Sequence, residues 1–446
     1  MNQTDLPNGW RLVRLADAYQ FTHKPKGLQL SDFELIPFVP MEYIPIGSTV
    51  FERYIAKRPK DISSGVYFEA GDLLLAKITP SFENGKQGII ESLPLSFGIA
   101  STEVIPIQGV NGISYRDFLF YYLLRSDIRA ELAGKMEGTT GRQRLSKSTL
   151  ENLTIPLPPL PEQHAIAQAL KAVQEAKQAR QRELELERER KAALMEYLFR
   201  HGTRGEVRKQ SEIGEMPESW NVVRLGDIAA VAYGLTVNQN RRGSQQQVPY
   251  LTVANVSRGA LRLNDIKQIG VLHGDAQKYR LCAGDVLLVE GNGNPKLLGS
   301  AAVWHDELPF ALHQNHLIRA RPDQTVVVSE WLMSYLNSDR GRAQLLGRGK
   351  TSNGLHSINS RIVADLLVPV PTMREQQQVT QVLTSCDQKV ITLEREIAYV
   401  DELFHAILEE IMTGRLSALP LAEQLNSQQG EAHEHQRTWR RRPFHC

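Results

Sequence analysis

The amino-acid sequence predicts an α/β (α+β) fold. Two similar globular domains are joined by two long antiparallel coiled-coil helices, as a pseudo-two-fold internal repeat. Three observations predict it. Residues 155–170 read IPLPPLPEQHAIAQAL and return at 368–383 as VPVPTMREQQQVTQVL, without a gap, at an offset of 213 and with six identical positions. Other segments return in the same order. Each copy of the repeated sentence runs into a long charged stretch with helical periodicity.

The bulk numbers bound the classes. A chain of 446 residues exceeds one core and predicts two or three domains. Apolar content of 41% and charged content of 23% are those of an ordinary globular protein. The sequence holds no run of eighteen apolar residues, so no membrane span is expected. The start, MNQTDLPNGWRLVRL, lacks the apolar stretch of a signal peptide. Cys282, Cys386 and Cys446 are too far apart for a C-x-x-C pair or a local zinc site. Structural thiols in a reducing cytoplasm are the expectation. A net charge of +2 admits nucleic acid without arguing for it. The basic stretch RTWRRR at 437–442 reads as a solvated end.

The repeat opens each half. Gly9-Trp10, Val13-Arg14-Leu15 and Asp17 return as Ser219-Trp220, Val223-Arg224-Leu225 and Asp227. Ala70-Gly71-Asp72-Leu73-Leu74-Leu75 returns as Ala283-Gly284-Asp285-Val286-Leu287-Leu288, and Ser126-Asp127 as Ser338-Asp339. A tandem duplication of roughly 210 residues follows. Within each copy, Leu73-Leu74-Leu75 and Val286-Leu287-Leu288-Val289 read as buried strands after a Gly-Asp turn. Residues 117–124 and 329–336 read as short amphipathic helices. Pro156, Pro158, Pro159 and Pro161, and later Pro369 and Pro371, then break the chain. Glu162-Gln163 and Glu375-Gln376 start long helices, acidic residues lying where the helix dipole favours them. The expected domains are 1–160, a central helix at 161–205, 206–370, a C-terminal helix at 371–416, and a polar tail at 417–446 whose order the sequence leaves open.

The second long helix carries a heptad seam. Val379, Leu383, Cys386, Val390, Leu393, Ile397, Val400, Phe404, Ile407 and Ile411 step alternately by four and three. That period predicts coiled-coil pairing, because a core-facing helix drifts toward 3.6. The first helix offers Ile166, Leu170, Val173, Leu184, Leu194 and Leu198. Polar Lys177, Arg180, Glu187 and Lys191 interrupt it, expected to face the opposite helix's charges or a further partner. Each helix is roughly 57 Å long at about 1.5 Å per residue. The two are expected to pair antiparallel, with a globular domain at each end.

This organisation resembles the specificity (S) subunit of type I restriction–modification systems. In that family an apolar-Pro-apolar-Pro-Pro-Leu-x-Glu-Gln segment lies between each target recognition domain and a long helix. Residues 155–163 match it, and 368–376 match it with Thr372 where a proline is usual. Residues 198–206 (LFRHGTRGE) with 213–227 (IGEMPESWNVVRLGD) resemble the family's central connector, and 411–416 (IMTGRL) its terminal one. ITPSFENGK at 78–86 and GTTGRQRLS at 138–146 resemble recognition-domain segments. The resemblance covers residues 1 to about 416 and rests on the order of weak motifs together with the duplication.

The resemblance implies a non-catalytic, cytoplasmic subunit that binds double-stranded DNA. Each recognition domain reads one half of an asymmetric bipartite site. The helices set the spacer and dock two methyltransferase (M) subunits, which use S-adenosylmethionine to methylate adenine. Restriction (R) subunits, which use ATP and magnesium, complete an ATP-dependent site-specific nuclease. This chain itself takes no cofactor and no metal. Readers on one face of a duplex sit about 34–36 Å apart, within the reach of such a helix.

Base readout needs Arg or Lys for guanine and Asn or Gln for adenine, and phosphates need cations, hydroxyls or N–H groups. In the first half the expected contacts are Thr79, Ser81, Asn84 and Lys86, with Thr139, Thr140, Arg142, Gln143 and Arg144. In the second half they are Asn292, Asn294 and Lys296, with Lys350, Thr351, Ser352 and Asn353. Their equivalent places in the duplication support them beyond polarity. A coiled-coil scaffold binding proteins through its two domains is the alternative, and it would have loops poor in these side chains.

Enzyme readings fail on spacing. Gly347-Arg348-Gly349-Lys350-Thr351 lacks the first P-loop glycine, Gln344 standing there, and follows a helical segment instead of a strand. Asn294-Pro295 is followed by Lys296, not by the Pro-aromatic pair of an adenine methyltransferase. His313 and His316 have no ligand cluster beside them, so packing or surface roles are expected. His433, His435 and His445 sit in the polar tail.

Overall fold

The computed structural model describes residues 6–139, 141–242, 244, 246–292, 297–348, 350–352, 355–425 and 427. The chain forms two compact units, Met1–Arg182 with Arg395–Cys446, and Glu183–Glu394. Both units therefore take a share of each long helix.

The first unit is built on a four-stranded antiparallel sheet, ordered Tyr19–Phe21, Val104–Gly109, Leu73–Ala76, Gln87–Ile89. Leu73, Leu74, Leu75 and Ala76 are fully buried, as an apolar run between two strand neighbours requires. Burying each leucine stabilises by roughly 2 kcal/mol. A second sheet is ordered Ile55–Lys57, Ile36–Val39, Phe97–Ala100, Val66–Glu69, and its central pair is parallel, with Phe38 opposite Ile99. A two-stranded ribbon closes the unit, Arg11–Arg14 antiparallel to Thr154–Leu157.

The second unit repeats the plan. Its antiparallel sheet is ordered Ala229–Tyr233, Leu317–Pro322, Val286–Val289, Ala301–Val303. Its smaller sheet is ordered Lys267–Gly270, Gln247–Leu251, Leu312–His313, again with a parallel pair, Tyr250 opposite Leu312. The ribbon is Asn221–Arg224 against Leu367–Val370.

The repeated sentence is a joint. In the first unit Trp10 Nε1 donates to Glu162 Oε2 at 2.9 Å. Buried Gln163 accepts from the Tyr115 N–H at 2.7 Å and donates to the carbonyls of Ile113 and Pro158 at 3.0 and 2.9 Å. In the second, Trp220 Nε1 donates to Glu375 at 3.2 Å. Buried Gln376 accepts from the Val328 N–H at 2.8 Å and donates to the carbonyls of Val326 and Pro371, both at 3.0 Å. Each Glu-Gln pair thus ties the opening Trp, the loop before a buried helix, and the first turn of the long helix. An apolar replacement of either glutamine would orphan buried backbone groups at about 1–3 kcal/mol each.

The long helices run Leu160–His201 and Met373–Met412. The first begins before Pro161, which stands in its opening turn, where a missing N–H costs nothing. Within each unit the helices pair antiparallel. Of the ten seam positions on the second helix, none is exposed: Val379, Leu383, Cys386, Leu393 and Ile411 are buried and the other five half-buried. On the first helix Ile166, Leu170, Leu184 and Leu198 are buried, Val173 and Leu194 half-buried.

The basic interruptions meet carboxylates. In the first unit Lys177 pairs with Asp401, and Arg180 with Glu396 at 3.2 Å. In the second, Lys191 pairs with Asp387, and Glu183 with Lys389 at 2.9 Å. Glu187 pairs within its own helix, with Arg190.

Two expectations change. Helix Arg116–Tyr122 is not amphipathic: Asp117, Phe118, Leu119, Phe120, Tyr121 and Tyr122 are all buried, because the sheet and the long helices enclose it. The start of the tail is not simply polar. Ala418 and Ala422 are buried in the first unit's core beside Leu408, Ile411 and Met412. RTWRRR, Cys446, His433, His435 and His445 lie outside the described residues.

Candidate DNA interface

In the first unit the strand Leu73–Ala76 leads into the loop 77–86, and the hairpin Glu137–Thr139 with Arg142–Arg144 lies beside it. The two are hydrogen-bonded together. The Thr79 N–H donates to the Gln143 carbonyl at 3.0 Å and the Leu145 N–H to the Lys77 carbonyl at 2.7 Å, while Ile78 bridges Arg144. Gly138 and Gly141 take positive φ at the hairpin turn, and a Cβ at Gly138 would stand 2.5 Å from the Arg142 carbonyl. The loop and hairpin therefore form one platform.

The second unit builds the same platform in the same register. Gly291 pairs with Ser357 and Asn292 with His356, while Lys350–Ser352 pairs with Leu355–Ser357. The Ile358 N–H donates to the Glu290 carbonyl at 2.8 Å. Each pairing lies 213 residues after its counterpart: Ile78–Arg144 becomes Gly291–Ser357, and Lys77–Leu145 becomes Glu290–Ile358. Asn292, Lys350, Thr351 and Ser352 thus stand on one three-stranded sheet. Thr140, Asn294, Lys296 and Asn353 lie outside the described residues.

The side chains of the first platform divide by environment. Asn84, Thr139, Arg142 and Arg144 are exposed, and Thr79, Ser81, Lys86 and Gln143 half-buried. The Thr79 hydroxyl donates to Glu83 Oε1 at 3.0 Å. Arg144 is forked onto Glu103, at 2.9 and 3.1 Å from Nε and 2.8 Å from Nη2. The Arg144 guanidinium holds the Glu103 carboxyl below the usual carboxylate range. Arg142 and Lys86 have no ion-pair partner among the described residues, and so keep their charge available. Asn84 and Gly85 line a cavity of about 350 Å³ whose far side is Gln174, Lys177, Asp401 and Phe404 of the helix pair.

Sequence reasoning missed the side chains beneath the loops. Arg129, on helix Ser126–Gly134, is buried, and burial lowers its pKa to about 10, so it stays charged at neutral pH. It reaches the Phe82 carbonyl in the middle of the loop. Arg342, on helix Asp339–Arg348, is buried too and donates to the Leu298 carbonyl at 3.1 Å. The only sequence signal was their place just after the repeated Ser-Asp.

His313 behaves as a packing group and His316 as a surface one. His313 is fully buried, burial pushes its pKa down to about 4, and its Nδ1 lies 3.0 Å from the Tyr279 carbonyl. His316 sits 2.8 Å from Glu290. No group of three metal-ligating side chains gathers among the described residues. No described helix is long and apolar enough to cross a membrane.

The family model for the type I restriction modification DNA specificity domain matches residues 7–188 and 217–400. Each match takes in one set of sheets, one platform and most of the long helix that follows. The MjaVIII specificity subunit of Methanocaldococcus jannaschii is 23% identical over 434 residues, 93% of this chain and 95% of that one. The putative MjaX specificity subunit of the same organism is 27% identical over 210 residues, 46% of this chain and 48% of that one. In fold the chain is similar to a solved structure from work on assembly and conformational transition of the type I R-M system. That likeness has a TM-score of 0.59 and 20% identity, and covers 92% of this chain and 99% of the other. A duplicated platform, a duplicated joint and a duplicated family match agree: the chain belongs to the type I restriction–modification DNA specificity family, with one specificity domain in each half.

Proposed function

We propose that this chain is the specificity subunit of a type I restriction–modification complex. It reads an asymmetric bipartite site on double-stranded DNA, one half-site per domain. The observation that carries this is the repeated loop-and-hairpin platform, identical in register but different in side chains. A shared scaffold with divergent contacts reads two different half-sites. In the first domain the contacts are Thr79, Ser81, Lys86, Thr139, Arg142 and Gln143, with Asn84 and Arg144 at the margins. In the second they are Asn292, Lys350, Thr351 and Ser352, with Thr140, Asn294, Lys296 and Asn353 completing the two sets.

The paired helices set the spacer between half-sites and dock two methyltransferase subunits. Those subunits use S-adenosylmethionine, restriction subunits use ATP and magnesium, and this chain contributes no catalytic group. The test is single-molecule sequencing of N6-methyladenine in a methylation-free host expressing this chain with its methyltransferase partner. One asymmetric bipartite motif, absent without this chain, supports the reading. No motif, with the partner active beside another specificity subunit, moves the assignment to a protein-binding scaffold.

A further inference from the structure

One side chain holds the first domain's loop from beneath. The Arg129 Nη1 donates to the Phe82 carbonyl. Its Nη2 donates to the Leu123 carbonyl at 2.6 Å and to Gln87 Oε1 at 2.9 Å, and its Nε to Leu123 again at 3.1 Å. The guanidinium also lies 4.8 Å from the centroid of the Phe82 ring. Phe82 and Gln87 are both fully buried, and Gln87 is itself fixed by donating to the Phe120 carbonyl at 2.6 Å. The residue gripped, Phe82, is flanked by Ser81, Asn84 and Lys86.

A planar fork of five donors meets three acceptors in fixed directions, a geometry that the tetrahedral ammonium of lysine does not reproduce. Burying such a cation is expensive, and it is tolerated here because the guanidinium satisfies three buried acceptors at once. The expense recurs. Arg342 lies 213 residues after Arg129, is equally buried, and donates to the Leu298 carbonyl in the segment that follows Val286–Val289. The feature shared by the two sites is a guanidinium directed at a main-chain carbonyl of the platform loop.

We infer that Arg129 and Arg342 are positioning residues for sequence discrimination, each setting the shape of its own domain's loop and so the fidelity of one half-site. Neither touches DNA. The inference rests on the proposed function.

The test uses the full chain with its methyltransferase partner and scores methylation at every singly mismatched version of the site. Arg129→Lys is expected to raise methylation at mismatches in one half-site by about 10-fold, with the other unchanged, the scale on which a single good base contact discriminates. Arg342→Lys is expected to relax the opposite half-site. A folded variant with unaltered discrimination, or with both half-sites relaxed equally, overturns the inference. Should Arg129→Lys fail to fold, Gln87→Met decides on the same readout: it removes one acceptor and keeps the volume. Relaxation confined to the half-site opposite that of Arg342→Lys supports the idea, and an unchanged profile overturns it. Absence of any bipartite motif with the unaltered chain would instead overturn the proposed function, and this inference with it.

Discussion

Single side chains differ sharply in how much charge they leave for DNA. Arg144 spends its fork on Glu103, whereas Arg142 and Lys86 are unpaired among the described residues. Binding of duplex DNA by the assembled complex is expected to weaken as salt rises. Replacing Arg142 or Lys86 by alanine is expected to reduce the log–log slope by about 1 each, as read by fluorescence anisotropy. Arg144→Ala is expected to change that slope less, because its charge is already paired with Glu103 and neutralises less of a phosphate's charge. A second residue-scale expectation concerns pH. Asp275 is buried against Arg241, 3.1 Å from its Nη2, and the hydrogen bonds from Arg241 lower its pKa. A carboxyl with a depressed folded pKa contributes stability that is complete above the ordinary aspartate value of about 4. That contribution is lost as pH falls from there through the folded value. Between about pH 6 and about pH 3 the urea midpoint of the wild-type chain should fall more than that of Asp275→Asn. An equal fall in both would remove Asp275 from the account. The placement of the exposed polar residues on loop and hairpin was legible in the sequence, since turn residues and polar side chains sit where the repeat puts them. Arg129, Arg342 and Asp275 were not, because a charged residue reads as surface until a structure supplies its buried partners.

At the scale of elements the long helices are held by two unequal means. Leu393 is fully buried in the seam, and Leu393→Ala should destabilise by about 2–4 kcal/mol. Lys191 and Asp387 form a half-exposed pair on the same helices. Lys191→Glu should cost up to roughly 1 kcal/mol, and adding Asp387→Lys should restore most of it. The coupling, measured by a double-mutant cycle in urea, should shrink at high salt. A coupling that salt leaves unchanged would mean that the pair acts through packing. The heptad stripe was legible because its period is written in one segment. For Lys177, Arg180 and Lys191 the sequence left two destinations open, the opposite helix's charges or a further partner; the structure pairs them with the opposite helix, through carboxylates more than 190 residues away. The buried helix Arg116–Tyr122 misled for a related reason: its aromatic run packs on every side, so no polar face marks its orientation.

For the molecule as a whole, each half has its own sheets, core and platform. Free-energy losses from contacts in different halves should therefore add. Arg142→Ala combined with Lys350→Ala is expected to weaken DNA binding by the sum of the single losses, within about 0.5 kcal/mol. A larger departure would show that one half-site is read conditionally on the other. The sequence by itself determined the duplication, the two long helices, the joint at Glu162-Gln163 and Glu375-Gln376, and the family. These follow from order and period along the chain. Only the tertiary structure decided that loop and hairpin fuse into one platform with a common register. It also decided that a buried guanidinium underlies each loop, that Arg144 is already paired, and that Ala418 and Ala422 dock in a core. Each depends on contacts between residues far apart in the chain, and no local pattern of polarity or propensity encodes such a partner.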